Sequence, residues 1–141
     1  MIDLSENTLK IKEFLNSSIH RFQEENNNPN SIGVYCNHRS GWITTNFNIN
    51  KSIAITKNNC PDFEFVEFDF LELPEWEVEY EADIPEYKLN GVFVKHDHNL
   101  GDEHLNQMIF EYLKFIVVEL KKNYRFNFLL QILDSDKTEV L

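Results

Sequence analysis

The chain has 141 residues, 42% of them hydrophobic and 13% aromatic, with 4 Gly and 4 Pro. That is apolar material for one domain able to bury roughly two-thirds of its unfolded surface, and the few Gly and Pro argue against low complexity or long disordered stretches. The formal charge of −11 argues against attraction to nucleic acid or an anionic membrane and favours cationic partners.

The start, MIDLSENTLKIKEF, lacks the basic and apolar blocks of a signal peptide, and no apolar run approaches a membrane span, so a cytoplasmic chain is expected. Residues 4–25 read as a helix, with Ile11, Phe14, Leu15, Ile19 and Phe22 at helical spacing. Asp3 and Glu6 resemble a capping box, and NNNPN at 26–30 ends the element.

SIGVYC and WITTNFNI read as hairpin arms around NHRSG, with Ile43, Thr45, Phe47 and Ile49 on one face. Residues 50–61 fit either a short helix or a loop with a strand fragment. In DFEFVEFDFLEL the apolar alternation shifts phase at Val66 and again at Leu71, which is how a β-bulge reads in sequence. EWEVEYEADI alternates cleanly, with Trp76, Val78, Tyr80, Ala82 and Ile84 on one side. As a helix it would set Glu75, Glu79 and Asp83 at repelling four-residue spacing, so a strand is expected.

Asn90-Gly91 marks a turn before a short strand, VFV. A helix is expected over about 102–122, with a stripe of Leu105, Met108, Ile109, Tyr112, Leu113, Ile116 and Leu120. Phe115, Val117 and Val118 widen that stripe and imply cover on more than one side. YRFNFLLQI alternates as a last strand, and a polar tail follows from about residue 134. The expected fold is a single α+β domain over 1–141, an antiparallel or mixed sheet with two main helices packed on one face. The other face would be partly open to water and carry the acids.

Those acids are concentrated. Residues 58–87 hold eleven Asp and Glu and no Lys or Arg, and without them the chain has 13 acids against 13 basic residues. The whole net charge therefore lies in this segment. Glu75, Glu77, Glu79, Glu81 and Asp83 would form a ladder with carboxylates about 7 Å apart, each neighbouring pair repelling by roughly 0.6 kcal/mol in water. A solvated strand face is the plain reading. A partner-binding surface, helped by Glu64, Glu67 and Asp69, is the functional one, since inert surfaces usually mix both signs.

Other chemistry is thin. His96, His98 and His104 in HDHNLGDEH could ligate a metal, but no second ligand cluster accompanies them, and no cofactor is expected. Cys36 and His38 are near enough in sequence for a thiol–imidazole pair but lack the other parts of a nucleophilic site. Glycines fit no phosphate-binding loop, and the aromatics among the acids do not make a basic stacking groove.

Two strings, WITTNFN at 42–48 and LPEW at 73–76, resemble an uncharacterised bacterial α+β family associated with toxin loci. The acidic α+β whole resembles the immunity proteins of bacterial toxin systems. The resemblance implies a non-enzymatic inhibitor of a basic toxin domain, often a nuclease, and carries no catalytic residues across. The long acidic run around the LPEW corner departs from that family's pattern. Two alternatives are a DNA mimic that blocks a nucleic-acid-binding enzyme and a metal-dependent hydrolase using His96, His98 and His104. A paired edge strand could also bury part of the acidic face in a homodimer.

Overall fold

In the computed structural model the described residues are 2–76, 87–89, 92–94 and 101–141. Strand β1 (Ile2–Asp3) leads into a 3-10 turn, Leu4–Asn7, and then helix α1 (Thr8–Asn26). The single helix expected from residue 4 is thus split. The Asp3 carboxylate accepts the Ser5 N–H at 3.0 Å, and the Thr8 N–H bonds the Ser5 carbonyl, so the first turn is wound tighter than an α-helix. Ile11, Leu15, Ile19 and Phe22 are buried as their spacing requires. Asn27, at φ 75°, ends the helix with its N–H on the Gln23 carbonyl.

The hairpin strands are β2 (Ser31–Asn37) and β3 (Trp42–Asn48), paired from Ser31↔Asn48 to Asn37↔Trp42. Strand β4 (Phe65–Glu72) adds to β3 antiparallel, and β7 (Asn127–Ile132) adds to β2 in parallel. The polar tail is not free. Thr138–Val140 forms β8, an antiparallel edge strand on β7, and Lys114 of helix α2 (Gly101–Lys121) holds Glu139 at 3.0 Å. The five strands run β4-β3-β2-β7-β8, a mixed sheet, with both helices against one face, as the sequence implied.

A second sheet joins β1 in parallel to β5 (Tyr87–Leu89), which pairs antiparallel with β6 (Val92–Val94). The VFV strand is therefore present. The Asn90-Gly91 turn lies outside the described residues. No helix among the described residues is long and apolar enough to cross a membrane.

Between helices and sheet lies the main core, where Ile32, Val34, Cys36, Ile43, Phe47, Phe128, Leu130 and Ile132 meet the α1 and α2 stripes. Phe115, at 68% exposure, and Val118 are on the outer side of α2, contrary to the expectation of cover there, whereas Val117 is buried. The helix packs through one stripe and α1 beside it, and its far side faces solvent.

The opposite sheet face is less open than expected. Thr44, Asn46, Asn48 and Leu129 are buried on it, because residues 50–63 cross over as turns and pack Ile53, Cys60 and Phe63 against Leu129, with Tyr35 at the margin. Gly33 makes this cover possible: a Cβ there would stand 2.7 Å from Cys60 Sγ and 3.0 Å from the Phe63 ring.

Of the two phase shifts read in this strand, the one at Val66 is a real irregularity, whereas the one at Leu71 is not, since Glu72 to Asp69 pair regularly with Trp42 to Thr45. Thr45 pairs with Asp69 but Phe47 pairs with Phe65, and Glu67 between them has φ 51°. Phe65 and Phe68 consequently both pack on the Phe22 ring in the core, at 5.1 Å each, while Phe70 projects from the other face.

The strand expected from Glu75 does not begin there. Pro74–Trp76 is a 3-10 turn, closed by the Trp76 N–H on the Leu73 carbonyl at 2.9 Å, and Trp76 is fully buried near Tyr112. Pro74 fixes φ and removes a ladder donor, which favours this corner over a continuing strand. The remainder of that expected strand, from residue 77, lies outside the described residues.

Gly33→Ala should destabilise the protein by about 1–3 kcal/mol, since Cys60 or Phe63 must move to admit the methyl group. Equilibrium denaturation measures this; a loss below about 0.5 kcal/mol, the scatter of surface substitutions, would contradict the close-packed cover.

Candidate protein-docking surface

The acids expected to meet a partner divide by what they touch. Glu64 holds the chain together: its Oε1 accepts the N–H groups of Ile49, Asn50 and Lys51 at 3.0, 2.7 and 2.7 Å. The Glu64 N–H in turn donates to Asn48 Oδ1 at 3.0 Å. The Lys51 N–H chiefly, and those of Asn50 and Ile49 with it, pull the Glu64 carboxyl below the ordinary carboxylate range, against a smaller opposing effect of burial. This carboxylate closes the start of the 50–63 cover.

Asp69 pairs with Arg21 of α1 at 2.8 Å, its side chain only 21% exposed. The same guanidinium donates to the Phe68 carbonyl at 3.0 Å and lies 4.5 Å from the centre of the Phe68 ring. Lys10 donates to the Glu72 carbonyl at 3.3 Å. Cations from α1 thus occupy two carbonyls of β4, and the bulge twists that strand, both of which blunt an exposed edge.

Glu67, Glu72 and Glu75 are exposed. Glu67 rides on the bulge, Glu72 stands opposite Trp42 in the β3–β4 ladder, and Glu75 is on the Pro74 corner. Glu77, Glu79, Glu81 and Asp83 lie outside the described residues, as do His96 and His98. His104 is exposed on α2, and among the described residues no group of three His, Cys, Asp or Glu side chains could hold a metal ion.

Cys36 and His38 do not make a nucleophilic pair. Cys36 points into the main core and Cys60 into the cover, and burial pushes both thiols far above the ordinary range. His38, buried, meets Asn106 Oδ1 of α2 through Nε2 at 2.6 Å. Two shallow clefts, of about 370 and 500 Å³, lie beside Asn123, one reaching Lys12 and Glu119 and the other Asn28 and Phe126. Neither brings together an acid–base pair with a nucleophile.

Sequence reasoning missed the aromatic part of the surface. On the face opposite the helices, beyond the 50–63 cover, Trp42 meets Tyr35 edge-on at 5.7 Å and Phe70 at 5.7 Å. Phe70 is 50% exposed, and Tyr35 and Trp42 are half-buried. The rings bridge three strands over the buried Thr44, which pairs with both Tyr35 and Phe70. The signal was present as Trp42 lying out of phase with Ile43, but Phe70 joins it only once the bulge has reset the register.

Glu64→Gln should lose about 1 kcal/mol at neutral pH, after allowance for solvent screening, because a neutral amide oxygen accepts those three N–H groups less strongly. The Glu64 carboxyl is depressed in the folded state. Its contribution is therefore complete above the unfolded value, about 4.3, and is lost as pH falls through the lower folded value. Chemical denaturation between pH 3 and 7 should show a flatter acid limb for the variant than for wild type; parallel limbs would refute the anchoring role.

No family model, no curated protein and no solved structure matches this chain.

Proposed function

We propose that this chain is a non-enzymatic inhibitor, an immunity protein that neutralises a basic toxin domain through the acidic surface of residues 58–87. One observation carries the reading: a net charge of −11 is concentrated in one segment without Lys or Arg. The exposed Glu67, Glu72 and Glu75 belong to that segment. Glu77, Glu79, Glu81 and Asp83 extend it in sequence. Charge of one sign on one surface accelerates encounter with an opposite charge and fixes its orientation, an effect that weakens with salt. Glu64 and Asp69 add to the field, but their geometry commits them first to Ile49–Lys51 and to Arg21.

The DNA-mimic reading receives less support. A phosphate-like row needs regular spacing, whereas the described acids ride on a bulge and a 3-10 corner, and Arg21 counters Asp69. For the hydrolase reading, His104 is exposed and belongs to no ligand group among the described residues.

The test is association with the product of the neighbouring gene, followed by stopped flow at low and high salt and by rescue of growth on co-expression. Wild type should bind and protect, with an association rate that falls as salt rises. Reversal of Glu77, Glu79 and Glu81 to Lys should slow association at least tenfold, and reversal of Glu67, Glu72 and Glu75 should slow it in the same direction. An unchanged rate and unchanged protection in the reversed variants reject the proposal. Competition by DNA for the same partner would transfer the case to mimicry.

A further inference from the structure

The rings of Trp42 and Phe70, with Tyr35 at the margin of the 50–63 cover, form the part of the second sheet face that this cover leaves exposed. Phe70 remains 50% exposed although it belongs to a strand whose other phenylalanines, Phe65 and Phe68, pack into the core. Aromatic clusters of this kind supply the centre of protein interfaces, with charge at the rim.

Its rim is acidic. Glu72 pairs with Trp42 across the ladder, so both side chains leave the same face. Asp134 is near enough to help raise the Tyr35 hydroxyl pKa, after the larger effect of burial and that of Cys60. Arg39, the basic residue of the adjoining β2–β3 turn, is half-buried. A second copy of this chain would bring like charge against this rim, so self-association is disfavoured.

The protein itself shows which group satisfies such a site. On the β4 edge, the Arg21 guanidinium is stacked at 4.5 Å on Phe68 and paired at 2.8 Å with Asp69. That is the cation–π contact among the described residues. Across the same strand, Phe70, Trp42 and Glu72 share one face of the sheet, so rings and a carboxylate again stand side by side, and among the described residues no cation stacks on either ring. We infer that Tyr35, Trp42 and Phe70, with Glu72 at their margin, form the anchor site for a guanidinium-bearing side chain of a basic protein partner. Arginine fits better than lysine because its planar group stacks on a ring while its edge donates to a carboxylate. This rests on the cationic-partner reading above and adds to it where the binding energy is concentrated.

The probe is an octa-arginine peptide titrated calorimetrically into the full chain at low salt, with octa-lysine alongside. Wild type should bind octa-arginine several-fold more tightly than octa-lysine. Phe70→Ala should weaken the arginine peptide about tenfold or more and abolish that preference, while Glu72→Gln should weaken binding less. Phe70 is half-exposed, so its variant should fold, and an unchanged far-ultraviolet spectrum and unfolding midpoint confirm that. Trp42→Phe, which keeps a ring, should retain most of the preference. If Phe70→Ala binds octa-arginine as wild type does, the anchor is wrong while the acidic inhibitor reading stands. If wild type binds neither peptide at low salt, both fall.

Discussion

The arrangement of the outer sheet depends on one buried amide. Asn46 donates through Nδ2 to the Gly33 carbonyl at 3.1 Å and to Thr44 Oγ1 at 3.2 Å, and its Oδ1 accepts the Glu67 N–H at 2.8 Å. It sits where β3 and β4 lose register, so the amide satisfies a donor that the bulge has taken out of the ladder. Because strand side chains alternate with a period of two, this local slip decides the orientation of everything that follows. Phe65 and Phe68 reach the core, Asp69 reaches Arg21, and Phe70 emerges on the opposite face beside Trp42. The outward chemistry of β4 is therefore a consequence of an inward hydrogen bond.

The second constraint is that the sheet must be covered on both sides. One side is supplied by two helices whose apolar stripes interdigitate with the strands. The other is supplied by a stretch of irregular chain, which buries less and must be held at its ends. Glu64 holds one end through three N–H groups, and Gln131 holds the other by accepting the Cys60 N–H at 2.8 Å and donating to Asn59 Oδ1 at 2.9 Å. Positive φ at Lys57 and Asn58 turns the chain between them. The cover stops short of Trp42 and Phe70, and that limit is what leaves three rings at the surface.

The helical stripes, the hairpin, the phase shift in β4 and the alternation of β7 were legible because each is written in local periodicity. What was not legible depended on distant partners. The 50–63 cover uses Ile53, Cys60 and Phe63 at no regular spacing, and although Asn58 is a turn signal, the Lys57 beside it also takes positive φ, which its residue type does not announce. Strand β8 has three residues and little apolar pattern, and it is fixed by the Leu141 N–H on the Phe128 carbonyl, at 2.9 Å, and by Lys121 on the Leu141 carbonyl oxygen. Glu64 resembles its acidic neighbours in sequence, yet its bonds reach back fifteen residues. In the candidate surface, the concentration of charge could be read from composition, but its division into anchoring and outward acids could not.

That division bears on why the chain carries so many acids. Carboxylates that hold structure here do so singly and with a specific partner: Asp3 on Ser5, Glu64 on the 49–51 backbone, Asp69 on Arg21. Each has local hydrogen bonds that offset the cost of bringing a charge to the protein surface. Glu67, Glu72 and Glu75 are exposed and follow one another along a single edge and corner. Mutual repulsion between such neighbours is small, well within what solvent and salt can screen, so the fold tolerates them without requiring them. Inert surfaces usually intersperse both signs of charge. The absence of any Lys or Arg from residues 58–87 is what the proposed cationic partner would account for, and the exposed Phe70 and half-buried Trp42 on the face of Glu72 would give such a partner an apolar surface beside the charge.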